Sequence, residues 1–489
     1  MARAPLLRTP WTGASVARIR ALSVREWCYV AIFGLALLCF LLVLADSMLR
    51  DPDTYWHIVV GRQIWERGEL PTRDEFSHSH AGAPWIAKEW LSQVALFGAY
   101  ELAGWRGIAV LTAASIAMAF ALLFGFLLRR LKVTFALALV LLVVPLAAGQ
   151  FVARPHIFFF PLLVIWIGGL LNAIEQERPP SAAMLLVVAL WANLHASFPI
   201  ALVLAALFAA EAALTAPVGR RRRLAGCWLL FGVGSLAATG MTPYGFSPLV
   251  LSIVMFGTND AVQFIGEWQP FRPAAVQWIS IAVLLGCFVP LANRRGNALR
   301  LLPVLPCAWL MFSYVRFGGL FAIVAAMSAA GTLARRFPAI GLQSHAALGR
   351  RCWKTTAAVP LLLGAAGAII FLTRPSPDQS ITPAAALEAA QAAGANGPVL
   401  NAHNFGGFLI WSGVPTFIDG RNDQLFIRGF ATALYAAEAE SEDGAFRALL
   451  DRYGVTWALL RPGSEAAAKL DRAGWRRVHA DSVAVAYLR

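Results

Sequence analysis

The sequence predicts an α-helical polytopic membrane protein with about eleven transmembrane helices and a small soluble α/β domain at its C-terminal end. Three observations lead to this fold class. Of the 489 residues, 58% are hydrophobic and 14% are charged, and the mean hydropathy is +0.63. These three values exclude a chain of ordinary soluble domains. After Thr373 the composition changes to Pro, Ser and Asp and then to that of a soluble domain.

The transmembrane helices are predicted from apolar windows of about 20 residues, the length that crosses the hydrocarbon core of a bilayer. The first window is too long for a signal-peptide core and lacks a convincing cleavage site, so we expect it to be retained. The predicted spans are 27–48, 106–128, 133–149, 157–175, 182–194, 197–214, 225–240, 276–293, 298–314, 317–334 and 355–373.

The distribution of Lys and Arg predicts the orientation. Basic residues precede the first span and recur in every second connection: Arg3, Arg8, Arg18, Arg20, Arg25, Arg129, Arg130, Lys132, Arg178, Arg220 to Arg223, Arg294, Arg295, Arg300, Arg335, Arg336, Arg350, Arg351 and Lys354. The positive-inside rule therefore puts the N-terminus in the cytoplasm and the C-terminus outside. The same distribution explains the net charge of +14, so we expect no nucleic-acid partner. Frequent Ala and Arg with little Lys suggest a bacterial inner membrane, whose outer side is periplasmic.

Three parts of the chain follow from this topology. We expect a cytoplasmic segment at 1–26, a transmembrane region at 27–373 with a first outer loop at 49–105, and an extracytoplasmic α/β domain at 374–489. In the last part, strand patterns alternate with helix patterns, which predicts a small sheet. The predicted elements are strands at 397–401, 416–421 and 455–460, two more strands within 475–488, a buried turn or short helix at 408–411, and helices at 430–452 and 465–473.

The first outer loop has the highest density of polar side chains in the membrane region. Pro52 disfavours the α region for Asp51, so the first helix should end at about residue 49 or 50. In an extended segment the carboxylates of Asp51 and Asp53 point to one side and repel each other unless a metal ion or a cationic partner lies between them. The pair predicts a divalent-cation site or a carboxylate held as a base; the alternative is a solvated turn. Residues 85–102 are amphipathic and predict two short helices on the outer surface.

Further polar side chains are expected on the same side of the membrane. They are His57, Glu89, Arg154, His156, Asn193, His195, Tyr244, Glu267 and Arg316. Arg154 and Arg316 lie in very short outer connections, where arginine is disfavoured, and this favours a functional role. For Asn193 and His195 the alternative is that they satisfy backbone groups freed where a proline interrupts two helices. For Glu267 the alternative is a solvated carboxylate.

A candidate in the C-terminal domain is Asp419-Gly-Arg421. It follows a predicted strand, at the end where α/β sheets usually bind ligands. The alternative is a turn that the Asp419 side chain satisfies.

The outline resembles the GT-C superfamily, polytopic glycosyltransferases that take sugars from polyprenyl phosphate carriers. The likeness rests on the acidic Asp51-Pro-Asp53 after the first helix, the long first outer loop with horizontal helices, the number of spans and the C-terminal outer domain. The chain is also similar to a set of bacterial membrane proteins with a comparable first loop and comparable stretches around Asn404-Phe-Gly-Gly and Ile418-Asp-Gly-Arg421.

The resemblance implies an inverting hexosyl- or pentosyltransferase that moves a sugar from a polyprenyl-phosphate carrier in the membrane lipid to a glycan, lipid or protein acceptor. It implies that Asp53 or Asp51 deprotonates the acceptor or holds Mg²⁺ or Mn²⁺. Basic residues such as Arg154 and Arg316 would bind the lipid phosphate. Family members often have a second acidic motif in a later outer loop. The second outer loop of this chain, 149–156, has no acidic residue, and Glu267 is the nearest substitute for that catalytic acid.

Two other classes remain open. One is a non-catalytic scaffold built on the same fold, which would tolerate the loss of both loop carboxylates. The other is a lipid or polysaccharide transporter in cell-envelope glycan assembly. A transporter predicts an internal repeat and charges near the membrane centre, whereas the sequence shows no repeat and few such charges.

Overall fold

The computed structural model describes residues 20–258, 265–289, 298–341, 353–427 and 429–489. Most of the predicted segment 1–26 and the end of the predicted span 276–293 lie outside these residues. The same holds for the predicted cytoplasmic residues Arg3, Arg8, Arg18, Arg294, Arg295, Arg350 and Arg351. The chain forms a bundle of apolar helices, and one end of the bundle carries the loop region 49–105 together with the C-terminal domain. We call this end the loop face.

Apolar helices build the membrane region, and each predicted span overlaps one of them. The first begins with a capping box, in which the Ser23 hydroxyl accepts from the Glu26 backbone N–H (3.3 Å) and the Glu26 carboxylate accepts from the Ser23 N–H (2.8 Å). The helices are Val24–Val43, Ala45–Met48, Asp53–Arg67, Trp90–Leu128, Val133–Ala147, Phe159–Glu175, Met184–Leu194, Pro199–Thr215, Val218–Thr239, Ser247–Thr258, Ala275–Gly286, Leu301–Ser313, Gly318–Arg336 and Trp353–Leu372.

Five helical segments in the described residues are long and apolar enough to cross a membrane. They are Val24–Val43, Trp90–Leu128, Val133–Gln150, Pro155–Glu175 and Val315–Arg336. Five more apolar helices have between 10 and 17 residues. The chain is therefore a multi-pass membrane protein, while the eleven crossings and their direction stay predictions. Val315–Arg336 lies at the centre of the bundle, since 94% of its most apolar stretch is buried. This central helix brings Arg316 to the loop face.

The loop region differs from its prediction in two ways. Residues 51–53 are not extended: Pro52 has helical dihedral angles (φ −65°, ψ −25°), and a helix begins at Asp53 because the Asp51 carboxylate accepts from the Asp53 N–H at 2.9 Å. This helix, Asp53–Arg67, was not predicted. Of the two short helices expected in 85–102, one forms. It starts at Trp90 and is separated from the following membrane helix by a kink at Ala103 and Gly104, whose dihedral angles are not helical; φ of Gly104 is +59°.

The C-terminal domain contains a four-stranded sheet. Its strands are β1 (Val399–Asn401), β2 (Trp457–Leu460), β3 (Arg476–Ala480) and β4 (Val485–Leu488). The spatial order is β1-β2-β4-β3, with β1 and β2 parallel and the other two pairs antiparallel. The helices of the domain are Ala384–Ala392, Gly406–Trp411, Phe430–Ala439, Gly444–Arg452 and Glu465–Arg472. The predicted α/β domain is thus present.

The strand predicted at 416–421 does not form. Its backbone is bonded by the Asn401 side chain, which accepts from the Phe417 N–H and donates to the Ile418 carbonyl, both at 2.8 Å. Thr416 makes a single bridge to Ser77 of the loop region. Because these groups already have partners, the segment stays irregular and turns toward the loop face.

The C-terminal domain and the loop region share a hydrophobic core. Trp56 and Trp85 from the loop region pack in one cluster with Leu400 and Phe417 of the domain. Phe417 is fully buried. Burial of each such side chain contributes about 1.5–3 kcal/mol. Apolar packing therefore fixes the domain against the loop region.

Candidate active site

A cavity of about 340 Å³ lies at the loop face, where the loop region, the ends of several membrane helices and the C-terminal domain meet. The predicted site residues Asp51, Asp53, His57, Glu89, Arg154, His156, His195, Glu267 and Arg316 all line it. Residues separated by more than 250 positions in sequence thus share one pocket. Polar groups that converge in a cavity partly lined by aromatic side chains are typical of a binding or active site.

Three carboxylates surround Arg154 in this cavity. The Nη1 atom of Arg154 lies 3.3 Å from Asp51 Oδ2, and its Nη2 atom lies 2.7 Å from Asp53 Oδ2. Arg154 also pairs with Glu267, whose second carboxylate oxygen is 3.7 Å from Arg316 Nη1. The two loop carboxylates therefore do converge, although the segment is not extended, and their cationic partner is an arginine.

Backbone contacts hold Arg154 in this position. The Ala153 N–H donates to the Met48 carbonyl at 2.8 Å, and the Thr54 hydroxyl donates to the Ala153 carbonyl at 2.7 Å. The connection after the helix Val133–Ala147 is thereby tied to both sides of the Asp51–Asp53 segment. Arg154 and the loop carboxylates are therefore held in place by the same backbone contacts.

The charges around Arg154 give the carboxyl groups of Asp51 and Glu267 very different pKa values. Burial, together with the nearby Asp53 and Glu267 charges, raises the pKa of Asp51 to about 7, against the lowering effect of Arg154. Burial opposes ionisation of Glu267 as well, but Arg154 and Arg316 hold its pKa at about 2. Near neutral pH, Asp51 can therefore exchange a proton, while Glu267 remains a fixed negative charge.

Neutral histidines line a second part of the cavity. Burial and the Arg154 charge lower the pKa of His57 well below its usual value, and His57 Nδ1 lies 3.2 Å from Gln93 Nε2. Burial lowers the pKa of His195 in the same way. Its Nε2 atom lies 3.5 Å from Glu89, which accepts from the Ala196 N–H at 3.1 Å. These two histidines are therefore hydrogen-bonding groups rather than charges at neutral pH.

His156 and two cations complete the membrane-side wall. His156 Nε2 lies 2.5 Å from the Gln150 carbonyl oxygen. Arg316 stacks over Trp268, 4.5 Å from the ring centroid. Lys88 forms an ion pair with Asp423 of the C-terminal domain, and burial lowers the pKa of Lys88 to about 8. Sequence reasoning did not select Lys88, although it precedes the selected Glu89 directly.

Asn193 and Tyr244 do not line the cavity. Asn193 accepts from the Trp90 indole N–H at 2.8 Å and donates to the Ala189 carbonyl at 2.8 Å. The Tyr244 hydroxyl donates to the Pro71 carbonyl at 2.9 Å. Both side chains join the loop region to the membrane helices, in keeping with the structural alternative stated for Asn193.

The Asp419-Gly-Arg421 turn is also structural. Arg421 is 1% exposed and lies 2.5 Å from Asp74 Oδ1 and 2.7 Å from Asp419 Oδ2. The Asp419 carboxylate accepts from the Arg421 backbone N–H at 3.0 Å, so this side chain satisfies the turn. The buried triad ties the C-terminal domain to the loop region through Asp74.

The C-terminal domain contributes cavity residues that sequence reasoning missed. His403, Asn404, Gly420 and Asn422 line the pocket. The signal for them was the pair of glycine-containing stretches around Asn404 and Gly420. A Cβ atom on Gly420 would lie 1.7 Å from Asp53 Oδ1, so only glycine permits this close approach.

The predicted divalent cation meets an unfavourable donor set. Arg154 already occupies the space between Asp51 and Asp53. In the part of the chain that the structure describes, no group of three or more His, Cys, Asp or Glu side chains is arranged to hold a metal ion. The residues as arranged do not fit Mg²⁺ or Mn²⁺, and a cation at this place remains a prediction that requires Arg154 to move.

Solved structures share this architecture. The apo crystal structure of ArnT from Cupriavidus metallidurans matches 95% of this chain and 98% of its own, with a TM-score of 0.51 and 15% identity. The same protein bound to undecaprenyl phosphate matches with equal coverage, a TM-score of 0.50 and 14% identity. The apo Archaeoglobus fulgidus oligosaccharyltransferase covers 89% of this chain and 70% of its own, with a TM-score of 0.53 and 13% identity. The chain has the GT-C fold.

No protein-family profile matches this sequence, and neither does any curated protein sequence. At the identities above, the GT-C likeness shows the fold alone. It confirms the predicted fold class of a polytopic helical protein with a C-terminal α/β domain. In this GT-C fold the cavity lies where the first loop, the bundle and the C-terminal domain meet.

Proposed function

We propose that the chain is a membrane glycosyltransferase that moves a sugar from a polyprenyl-phosphate carrier to an acceptor at the outer face of a bacterial inner membrane. The observation that carries the proposal is the cluster of Asp51, Asp53 and Glu267 around Arg154, in a cavity of a GT-C fold. A structural neighbour of the chain was solved with undecaprenyl phosphate bound. The acceptor is a glycan, a lipid or a protein with a free hydroxyl or amino group.

Arg316 and Lys88 are the proposed phosphate-binding residues. Both line the cavity beside the Arg154 cluster. Arg154 carries three carboxylate partners, whereas Arg316 is 3.7 Å from its carboxylate partner and retains donors for a ligand. A phosphate on these cations would be stabilised as it leaves, while the isoprenoid tail stays in the lipid.

Asp51 is the proposed proton acceptor. Its distance to Arg154 (3.3 Å) is longer than that of Asp53 (2.7 Å), and its pKa of about 7 suits a base at neutral pH. In the step, the acceptor's heteroatom forms a bond to the anomeric carbon as the bond from that carbon to the phosphate oxygen breaks. The acceptor's proton goes to Asp51, and the electron pair goes to the polyprenyl phosphate. Attack opposite the leaving group inverts the anomeric centre.

The proposal is tested in a strain that lacks the gene. We expect a lipid-linked sugar to accumulate and one envelope glycan to disappear, because the carrier is no longer unloaded. A plasmid copy of the gene should reverse both changes, as measured by mass spectrometry of lipid extracts and by glycan analysis. Purified protein in nanodiscs should then convert the extracted lipid-linked sugar to polyprenyl phosphate when the membrane acceptor is added. No conversion by an intact protein would favour the scaffold or transporter.

Replacing Arg316 with Gln is expected to weaken undecaprenyl phosphate binding by about tenfold or more, since hydrogen bonds to charged groups contribute about 1.5–3 kcal/mol. The measurement is a titration of purified protein in nanodiscs with undecaprenyl phosphate. Arg272→Gln is the matched control, because Arg272 is exposed on the connection that carries Glu267. Equal affinity in the two variants would contradict the proposed phosphate site.

Replacing Gly420 with Ala is expected to lower transfer by about 10²-fold, because small displacements of catalytic groups have effects of this size. The new methyl group would collide with the Asp53 carboxylate. Gly444→Ala is the control, since a Cβ at that position has no neighbour within 4 Å. Consumption of the lipid-linked sugar by the purified variants is the measurement. Wild-type rates in Gly420→Ala would show that the close approach has no bearing on the reaction.

A further inference from the structure

The C-terminal domain supplies a wall of the cavity on which three neutral side chains lie together, beside Asp423, whose charge is paired with Lys88. His403, Asn404 and Asn422 line the cavity from this side. The Asn422 side-chain nitrogen lies 2.6 Å from His403 Nε2, and His403 Nδ1 lies 3.3 Å from Asn404 Oδ1. We call these three residues the neutral wall. The wall is a hydrogen-bonded row and not three independent side chains.

The direction of the hydrogen bonds shows what the wall offers to a ligand. The Asn422 amide donates to His403 Nε2, which leaves the ring proton on Nδ1, facing the Asn404 oxygen. Asn404 accepts through its oxygen, and its amide N–H groups have no hydrogen-bond partner among the described residues. Asn404 and His403 are both partly exposed. The wall therefore presents the neutral Asn404 amide to a ligand.

The loop region and the membrane helices supply a second, cationic part of the lining. It carries the cations Lys88, Arg154 and Arg316, which suit a phosphate. A side-chain amide such as that of Asn404 suits alcohols better, since it can both donate to and accept from a hydroxyl. Trp56 and Trp85 also line the cavity and add apolar surface to it. A phosphate on one side and a hydroxylated ring on the other match these two walls.

The neutral wall is held close to the reacting groups. Gly420 packs directly against the Asp53 carboxylate, and a Cβ on Gly407 would lie 1.9 Å from the Pro52 carbonyl oxygen. Asp423, next to Asn422, pairs with Lys88. Close packing and an ion pair thus set the distance between the neutral wall and the loop carboxylates.

We propose that Asn404 binds the hydroxyl groups of a sugar ring in the cavity, with His403 and Asn422 holding its side chain in place, and that the neutral wall so determines which sugar is accepted. This inference rests on the proposed function in that the ring belongs to a substrate of the same site. The ring is that of the donor or that of a glycan acceptor, and both have the same chemistry. The C-terminal domain is then part of the active site.

Saturation-transfer NMR on the purified full-length protein in nanodiscs tests the neutral wall. The probes are a panel of methyl hexosides and methyl pentosides, and undecaprenyl phosphate binding is measured separately. We expect at least one glycoside to receive saturation from the wild-type protein. Asn404→Ala and His403→Ala should each reduce that transfer about two- to tenfold, the effect of one or two hydrogen bonds. Their undecaprenyl phosphate affinity should stay within about twofold of wild type.

His479→Ala is the matched control, because His479 lies on β3 of the same domain and pairs with Asp481 away from the cavity. Unchanged undecaprenyl phosphate binding shows that a variant is folded, and Asn404→Gln provides a milder second variant. The sugar-binding role of the neutral wall is overturned if saturation transfer is absent in wild type, or if it is equal in wild type and both wall variants. If the wild-type protein binds a glycoside but does not bind undecaprenyl phosphate, the proposed function is overturned, whereas the sugar-binding role of the neutral wall is retained.

Kinetics distinguish the two sources of the ring. Purified variants are assayed with extracted lipid-linked sugar varied at fixed acceptor, and then with the acceptor varied at fixed donor. A KM that rises only for the donor in Asn404→Ala assigns the wall to the transferred sugar. A KM that rises only for the acceptor assigns the wall to the acceptor. A fall in kcat with both KM values unchanged contradicts a binding role.

Discussion

Replacing Asp51 with Asn is expected to lower sugar transfer by about 10²–10⁴-fold, the usual contribution of a positioned base. The reason is the environment of this carboxyl group. It is buried, its contact with Arg154 is the longer of the two aspartate contacts, and its pKa is about 7. Asparagine keeps the size of the side chain and removes its ability to accept a proton.

The pH dependence of the rate identifies the base. The wild-type rate should rise as the pH increases through about 7, because deprotonation makes the Asp51 carboxylate available. The residual rate of Asp51→Asn should lack this rise. Asp46→Asn is the control, since Asp46 is an exposed carboxylate on the same segment. A full rate in Asp51→Asn, or an unchanged pH profile, would remove Asp51 from the role of base.

Asp53→Asn separates the two aspartates. Asp53 lies 2.7 Å from Arg154 and against Gly420, so its neutralisation should displace Arg154. We expect a large loss of transfer with the pH-dependent rise retained, because Asp51 is still present. If Asp53→Asn instead abolishes the rise while Asp51→Asn keeps it, the two roles are reversed.

Replacing Arg421 with Met is expected to destabilise the contact between the C-terminal domain and the loop region by about 3–5 kcal/mol. The substitution leaves Asp74 and Asp419, both fully or nearly fully buried, without their cation. The segment 419–424 should then detach from the loop region. We expect a lower unfolding temperature of the purified protein and faster protease cleavage within 374–489.

Two further variants test whether the buried triad causes the loss of stability in Arg421→Met. Arg447→Met is the control, because the Arg447 side chain is 59% exposed and its ion pair is long, at 3.9 Å from the carboxylate partner. Adding Asp74→Asn and Asp419→Asn to Arg421→Met should recover part of the stability, since no unpaired charge then remains buried. If Arg421→Met is as stable as Arg447→Met, the triad does not hold the domain.

Local sequence patterns were sufficient to predict the helices of the bundle and some of the residues that line the cavity. An apolar window is a property of neighbouring residues, so each predicted span overlaps a helix. Arg154 and Arg316 were selected because arginine is rare in short outer loops, and both line the cavity. The loop carboxylates were selected by their density of charge. None of these choices required knowledge of a distant contact.

The errors lie where distant parts of the chain meet. The strand predicted at 416–421 has suitable residues, but the Asn401 side chain bonds its backbone. The cation expected between Asp51 and Asp53 is present, but only the tertiary structure shows that it is Arg154, about 100 residues away. Asn193 and Tyr244 have the polarity of site residues yet bond to neighbouring segments outside the cavity.

The sequence by itself determined the polytopic helical class, the C-terminal α/β domain and the importance of the first loop, because these depend on composition and short-range periodicity. Only the tertiary structure decided that the C-terminal domain closes the cavity, with Gly420 against Asp53 and Arg421 against Asp74. These contacts join residues more than 340 positions apart. Their partners are chosen by the packing of a shared core, and no local pattern in either segment specifies that packing.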